Sequence, residues 1–325
     1  MKKIVFILAI LGWTFWGISA ERITDQAGAK SSPLFSHDGA SIAYLRENEG
    51  TIELWVRTSA NDNRCLGPAR SFGWMKDGRL IYSCESGLFA VSAKGEAPSG
   101  KPQGFLAKDG ANRVRLADQA DLFLAGEPLY LARDYRIRQK EKNKAEKQLT
   151  RQEQDITDIV VAGDGTIYYT ADGQLWKVSG QSDAQEELLL KVEGLEDFIR
   201  LKIRPGQDEI LLLSSCARYA ADGHNLLKTV RMDGTEKKEL WPADYASWSP
   251  DGKRIVYAAE GKLWLQDMAT GARRCLSPES AGLCAYPSWS PDGKKIVFVS
   301  VAIDTNQDKA IDWRDHDDLW MAEVE

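Results

Sequence analysis

The residues with the clearest chemistry lie near the C-terminus, in Asp304-Thr-Asn306-Gln-Asp308-Lys-Ala310-Ile-Asp312-Trp-Arg-Asp315. Counting Asp304 as position one, side-chain oxygens fall at positions one, three, five, nine and twelve. Ala310 offers a backbone carbonyl at seven and Ile311 an apolar residue at eight. That is the ligand spacing of a twelve-residue calcium loop, which wraps a hard cation in about six or seven oxygens. Lys309 stands where the pattern has glycine and Asp315 where it has a bidentate glutamate, so the expected Ca²⁺ affinity is weak, on the order of 10⁻⁴ M. Asp304, Asp308, Asp312, Asp315, Asp317 and Asp318 crowd together beside only Lys309 and Arg314. A divalent cation relieves that repulsion, and its expected role is structural, pinning a long loop.

Other chemistry is sparse. There is no Gly-x-Ser-x-Gly elbow, and His37, His224 and His316 stand far apart without metal-ligand spacing. A catalytic site would have to be assembled from dispersed residues at a central channel, as that of a metal-dependent hydrolase or lyase. The segment from Arg133 to Arg151 carries Arg133, Arg136, Arg138, Lys140, Lys142, Lys144, Lys147 and Arg151 against Asp134, Glu141 and Glu146. It reads as a charged hairpin between the third and fourth strands of one repeat, able to dock an acidic partner or an anionic envelope surface. The net charge of −6 argues against a general nucleic-acid binder, which needs a basic surface to displace counterions.

The elements that position these residues repeat. Ala246-Ser-Trp-Ser-Pro-Asp-Gly-Lys-Arg-Ile-Val-Tyr and Pro287-Ser-Trp-Ser-Pro-Asp-Gly-Lys-Lys-Ile-Val-Phe each read as strand, tight turn and strand. Proline presets φ, aspartate bonds its own backbone and glycine accepts positive φ. Weaker copies occur at Ser36-His-Asp-Gly, Met75-Lys-Asp-Gly and Ala162-Gly-Asp-Gly, and degenerate ones at Leu116-Ala-Asp-Gln and Arg204-Pro-Gly-Gln. Aligned on Asp38, Asp77, Asp118, Asp164, Gly206, Asp251 and Asp292, they are spaced by 39, 41, 46, 42, 45 and 41 residues. That period fits a four-stranded propeller blade, and so an all-β fold of seven blades, with six or eight as alternatives.

A third strand opens on leucine before an aromatic at Leu54-Trp55, Leu88-Phe89, Leu129-Tyr130, Leu175-Trp176, Leu263-Trp264 and Leu319-Trp320, with Leu226-Leu227 in the fifth unit. Arg64-Cys-Leu-Gly, Lys147-Gln-Leu-Thr and Arg274-Cys-Leu-Ser mark the fourth. The last unit stops without one, and Glu21-Arg-Ile-Thr supplies it, so that residues 21–24 are expected to close the ring.

The chain opens on MKKIVFILAILGWTFWGISA, two lysines, an apolar run and small residues, which reads as a signal peptide over residues 1–20 cleaved after Ala20. The mature propeller is then residues 21–325, periplasmic or secreted, with no later transmembrane segment. Five cysteines in such a compartment leave at least one thiol unpaired. Cys275 and Cys284, flanking a short polar loop, are the candidate disulfide.

The Ser-Pro-Asp-Gly-Lys turns, the Leu-Trp strands and Arg273-Arg-Cys-Leu-Ser together resemble the propeller repeat of the TolB family over nearly all of the mature chain. Similar acidic insertions are familiar in that repeat, which supports the calcium reading. The chain departs from the family in having no α/β domain between leader and first repeat, and seven repeats where TolB has six. The resemblance therefore implies the architecture and a protein- or peptide-binding scaffold more than a TolB role in the cell envelope. Related repeats also form the propeller of prolyl oligopeptidase-like enzymes, but here no hydrolase domain follows.

Overall fold

Two features of the repeat dictate the architecture: a turn that reverses the chain tightly, and a following strand that is apolar on both faces. The computed structural model describes residues 20–25, 27–60, 62–93, 113–117, 122–124, 128–141, 144–151, 153–180, 185–191, 199–214, 226–311 and 315–324. Residues 1–19 of the expected leader lie outside them, as do Asp118, Cys216, His224 and Asp312.

Among the described residues, seven antiparallel sheets of four strands each follow one another along the chain. Blade 1 comprises Ala29–Phe35, Ile42–Asn48, Thr51–Ser59 and Asp62–Pro68; blade 2 comprises Ser71–Trp74, Arg79–Cys84, Gly87–Ser92 and Arg113–Ala117. Blade 3 is Leu122–Leu124, Leu129–Arg133, Arg136–Lys140 and Lys147–Gln148, and blade 4 is Ile156–Val161, Thr166–Ala171, Gln174–Ser179 and Glu187–Lys191. Blade 5 holds Ile199–Ile203, Glu209–Ser214, Leu226–Arg231 and Lys238–Pro242. Blade 6 holds Tyr245–Trp248, Arg254–Ala259, Lys262–Asp267 and Arg273–Cys275. Blade 7 runs Leu283–Trp289, Lys295–Val301 and Asp318–Glu323, and takes its outermost strand, Ala20–Arg22, from the other end of the chain. The chain is thus a single seven-bladed propeller. The ring closes as the sequence implied, with Ala20 opposite Ala322, Glu21 opposite Met321 and Arg22 opposite Trp320, and the Ile23 amide donating to Leu319 O at 2.8 Å.

The second strand of each blade is sandwiched between neighbouring blades, so its residues are buried without alternation. Tyr44, Tyr82, Tyr169, Tyr257 and Phe298 occupy one equivalent position there, all fully buried. The turns before these strands are built alike. Ser36, Ser249 and Ser290 donate their hydroxyls to Asp38, Asp251 and Asp292, each at 2.6 Å, and each carboxylate also accepts an amide two residues on, from Ala40, Lys253 and Lys294. At Gly252, with φ of 67°, a Cβ would lie 2.4 Å from Pro205 O of blade 5, so glycine is required by both torsion and space.

The serine hydroxyl beside Asp38, Asp251 and Asp292, with the following amide, holds each carboxyl below the usual range. A carboxyl lowered in the folded state gives stability that is present above its unfolded pKa of about 3.9 and lost as pH falls through the folded value. The stability these turns contribute is therefore expected to be constant above about pH 5 and to be lost below about 4. The acid-induced drop in melting temperature should be shallower in the Asp38→Asn/Asp251→Asn/Asp292→Asn triple variant; equal acid sensitivity in both proteins would refute this account.

Blade 3 corrects the sequence alignment. Leu129-Tyr130 lies on its second strand, not its third, and Leu116 belongs to the outermost strand of blade 2. The reason is the connection from residue 93 to 112 between the third and outermost strands of blade 2, which puts the next repeat out of phase with a constant period. Ile137, fully buried, takes the place of the missing leucine on the third strand of blade 3.

Candidate functional site

The acidic loop connects the second and third strands of blade 7, as its position in the repeat required. Five of the six residues expected to bind calcium are described: Asp304, Asn306, Asp308, Ala310 and Asp315; Asp312 lies outside the described residues. The loop folds on its own backbone amides. Asp304 Oδ2 accepts from the Lys309 amide at 2.9 Å, Asn306 Oδ1 from the Asp308 amide at 2.9 Å, and Asp308 Oδ1 from the Ala310 amide at 3.0 Å. Lys309, at the position where the pattern has glycine, adopts φ of 74°. Asp315 is buried, and its Oδ1 accepts from the Thr305 amide, the Thr305 hydroxyl and the Asn306 amide at 2.8, 3.1 and 3.1 Å. Asp304 Oδ1 is enclosed and has no hydrogen-bond partner among the described residues. Those residues bring no three carboxylate, histidine or cysteine groups together as a metal cluster.

The loop leads directly into the seam where blade 7 meets blade 1. Lys30, on the innermost strand of blade 1, has a side chain with 0% exposure. Its amide donates to Asp317 Oδ1 at 2.6 Å, and its ammonium donates to Asp317 O at 2.5 Å and Gly28 O at 3.1 Å. The ammonium also lies 3.4 Å from Asp318 Oδ1. Asp318 in turn accepts the Thr24 hydroxyl at 2.9 Å and pairs with Arg22 at 2.7 Å, while the Leu319 amide donates to Thr24 Oγ1. Burial pushes the Asp317 carboxyl up to about 6 against the opposing pull of the Lys30 amide and charge. Burial likewise lowers Lys30 despite Asp318 and Asp317. Ionic groups thus join both termini of the propeller to the base of the acidic loop. Lys30 was invisible to sequence reasoning, because its partner Asp317 lies 287 residues away.

Beside the seam is a cleft of about 470 Å³ walled by Ala27, Ala302, Ile303 and Trp320, with Arg22 and His316 among its polar residues. Ile303 and Ile311 of the acidic loop are 55% and 44% exposed.

Two further expectations meet the structure differently, and a third agrees. The basic segment 133–151 is not a hairpin between strands: it contains the third and outermost strands of blade 3. Many of its charges have partners, Arg133 with Glu146 and Arg136 with Glu153 at 2.6 Å each, and Lys144 with Glu141 at 2.5 Å. Strand-forming alternation was masked there by the density of charge. Cys275 and Cys284 are free thiols in the structure, not a disulfide. The Cys275 thiol lies 3.4 Å from Ser277 Oγ, and burial pushes the Cys284 thiol up to about 11. His37 and His316 are exposed, in a turn and at the loop base.

The innermost strands carry a second constellation that sequence reading missed. Three residues before the strand ends Phe35, Trp74, Val161, Ile203, Trp248 and Trp289 stand Ser32, Ser71, Asp158, Arg200, Tyr245 and Tyr286. The count from the strand end was available as a signal, since the turn fixes it. In blades 1 and 7 a bulge makes Ser32 and Tyr286 extra residues, both at positive φ, 53° and 52°. The rings of Tyr245 and Tyr286 are 4.1 Å apart. Asp158 accepts the Leu201 amide of blade 5 at 2.8 Å and the Ile159 amide at 3.0 Å, and burial raises its pKa.

No family model matches the chain, and neither does any curated protein. Solved structures do. The C-terminal WD40 domain of Sif2 is 15% identical with a TM-score of 0.56, over 92% of this chain and 82% of that one. The WD40 propeller of Doa1 is 13% identical with a TM-score of 0.58, over 95% and 98%. The propeller domain of Myceliophteria thermophila Cps50 (Swd1) is 12% identical with a TM-score of 0.58, over 93% and 99%. A protein of a mitotic checkpoint complex is 10% identical with a TM-score of 0.61, over 94% and 93%. At these identities the likeness is one of fold: the chain is a seven-bladed, WD40-type β-propeller.

Proposed function

We propose that this protein is an exported propeller, periplasmic or secreted, that acts as a protein- or peptide-binding scaffold and carries a structural calcium loop at residues 304–315. The observation that carries the scaffold reading is the placement of Ile303 and Ile311, exposed on the acidic loop, with Ile303 walling the cleft at the seam. Exposed apolar side chains around a concave surface mark a contact site. The similar protein from a mitotic checkpoint complex shows the fold inside a multiprotein assembly. The TolB-like repeat and the leader support an envelope location. Capture from envelope fractions on the immobilised mature protein tests the reading. A partner retained by the wild type is expected to be lost from the Ile303→Asp/Ile311→Asp variant, and equal capture by both would count against this face.

The calcium reading rests on the backbone. Lys309 already has the positive φ that glycine supplies in such loops, and Asp304 keeps an enclosed oxygen without a hydrogen bond among the described residues. Asp304, Asn306, Asp308, Asp315 and the Ala310 carbonyl would hold the ion, with Asp312. At a dissociation constant on the order of 10⁻⁴ M, 10 mM calcium stabilises the fold by about 2.7 kcal/mol. The expected result is a melting temperature several degrees higher in calcium than in chelator. Lys309→Gly relieves the strained torsion and removes a positive charge, and is expected to raise affinity about tenfold, as read by calorimetry. The absence of calcium heat and of a melting shift in both proteins would end the reading.

A further inference from the structure

Arg200 and Lys202 sit on the innermost strand of blade 5, both exposed, on either side of buried Leu201. Exposure on an innermost strand opens toward the central channel. Neither cation has a hydrogen bond or an ion pair to any other described residue. The carboxyl that feels both charges, Asp158, is turned instead to the Leu201 and Ile159 amides, one on each oxygen. Among the described residues, Asp244, next to Tyr245, is a further acidic group near this end.

A guanidinium and an ammonium two residues apart on one strand, unpaired among the described residues, form a receptor for a carboxylate, which arginine grips with parallel N–H donors. The charge of Arg200 also reaches the phenol of Tyr245, which lies against Tyr286. These two tilted rings come from blades 6 and 7, so the aromatic surface is assembled between blades. Tyr286 holds a left-handed backbone torsion, which a bulky residue adopts only at a cost. A bulge that re-aims a side chain at such a cost is characteristic of a binding site.

We propose that this end of the channel binds a carboxylate presented beside a planar group, with Arg200 and Lys202 taking the carboxylate and the Tyr245–Tyr286 pair stacking on the plane. The inference rests on the scaffold reading and names its ligand: an acidic side chain, or a free C-terminal carboxylate, next to an aromatic residue of a bound peptide. Phosphate-type anions satisfy the cations but not the aromatic pair, and neutral aromatics do the reverse.

The test uses the full mature protein and three probes: N-acetylphenylalanine, its neutral amide, and N-acetyl-Phe-Glu amide. The first presents a terminal carboxylate and the third a side-chain carboxylate, so their relative affinities distinguish the two sources. Binding followed by NMR or calorimetry is expected to be saturable for at least one carboxylate probe and at least tenfold weaker for the neutral amide. Arg200→Gln is expected to lose about tenfold in affinity, and Lys177→Gln, on the third strand of blade 4, nothing. Tyr286→Gly removes the ring and suits the torsion, so it should bind more weakly while melting no lower. Equal affinity for acid and amide, an unaffected Arg200→Gln variant, or no saturation by about 10 mM overturns the proposal. A partner captured equally by wild type and Arg200→Gln removes this site but leaves the scaffold reading standing. Probe binding without any captured partner does the opposite.

Discussion

Replacing Lys30 with alanine is expected to destabilise the propeller by about 3–5 kcal/mol, the usual consequence of removing one member of a buried ion pair. At roughly 2 °C per kcal/mol, that is a fall of about 6–10 °C in the melting temperature. The argument is one of desolvation. The Lys30 ammonium is fully enclosed, and without it Asp317 stays buried, keeping the Lys30 amide but losing its only near cation among the described residues, while Asp318 keeps Arg22. The Lys30→Met/Asp317→Asn double variant fills the same space without an unpaired charge and should recover most of the loss. Heat denaturation followed by circular dichroism measures all three proteins. A single variant that melts with the wild type would show that the seam does not depend on this pair.

Deleting residues 21–24 should be comparably severe and should add a second effect. It removes the outermost strand of blade 7, the Ile23 amide bond to Leu319, the Arg22–Asp318 ion pair and the Thr24 hydroxyl bridge. With net hydrogen bonds at about 0.5–1.5 kcal/mol each and charged ones higher, a loss of about 3–6 kcal/mol is expected. The deletion also bares the edge of the Asp318–Glu323 strand, so the truncated protein should self-associate at concentrations where the intact one does not. Light scattering reads that association, and a synthetic peptide of residues 20–28 added in excess should suppress it. Unchanged melting together with unchanged scattering would mean that the ring closes without this strand.

The parts of this molecule written in local chemistry could be read from the sequence. Ser249-Pro-Asp-Gly and Ser290-Pro-Asp-Gly form the turns their residue types require, and Glu21-Arg-Ile-Thr was recognisable as a displaced fourth strand because it repeats Arg274-Cys-Leu-Ser. Where local signals failed, the cause was a loss of phase or a distant partner. Blade 3 slipped because the long connection in blade 2 broke the period. Arg136 and Arg138 looked like part of a charged hairpin because the buried Ile137 between them is a weak strand signal among so many charges. Lys30 and the Tyr245–Tyr286 pair depend on which blades become neighbours, and no window of sequence contains that information. The acidic loop was legible as a ligand pattern, but not as the span that ends at the seam.

The closing strand has a consequence for how the molecule is made. Thr24 and its partner Asp318 are 294 residues apart, so the strand that emerges first from the ribosome waits for nearly the whole chain before it can be used. Blades 1 to 6 can each pair their four strands as they appear, whereas the seventh joins a strand made early to strands made much later. Contacts of such long sequence separation form slowly, and the waiting strand is a free edge throughout. Final assembly therefore has to wait until the Asp318–Glu323 strand is made, in whichever compartment holds both strands at once.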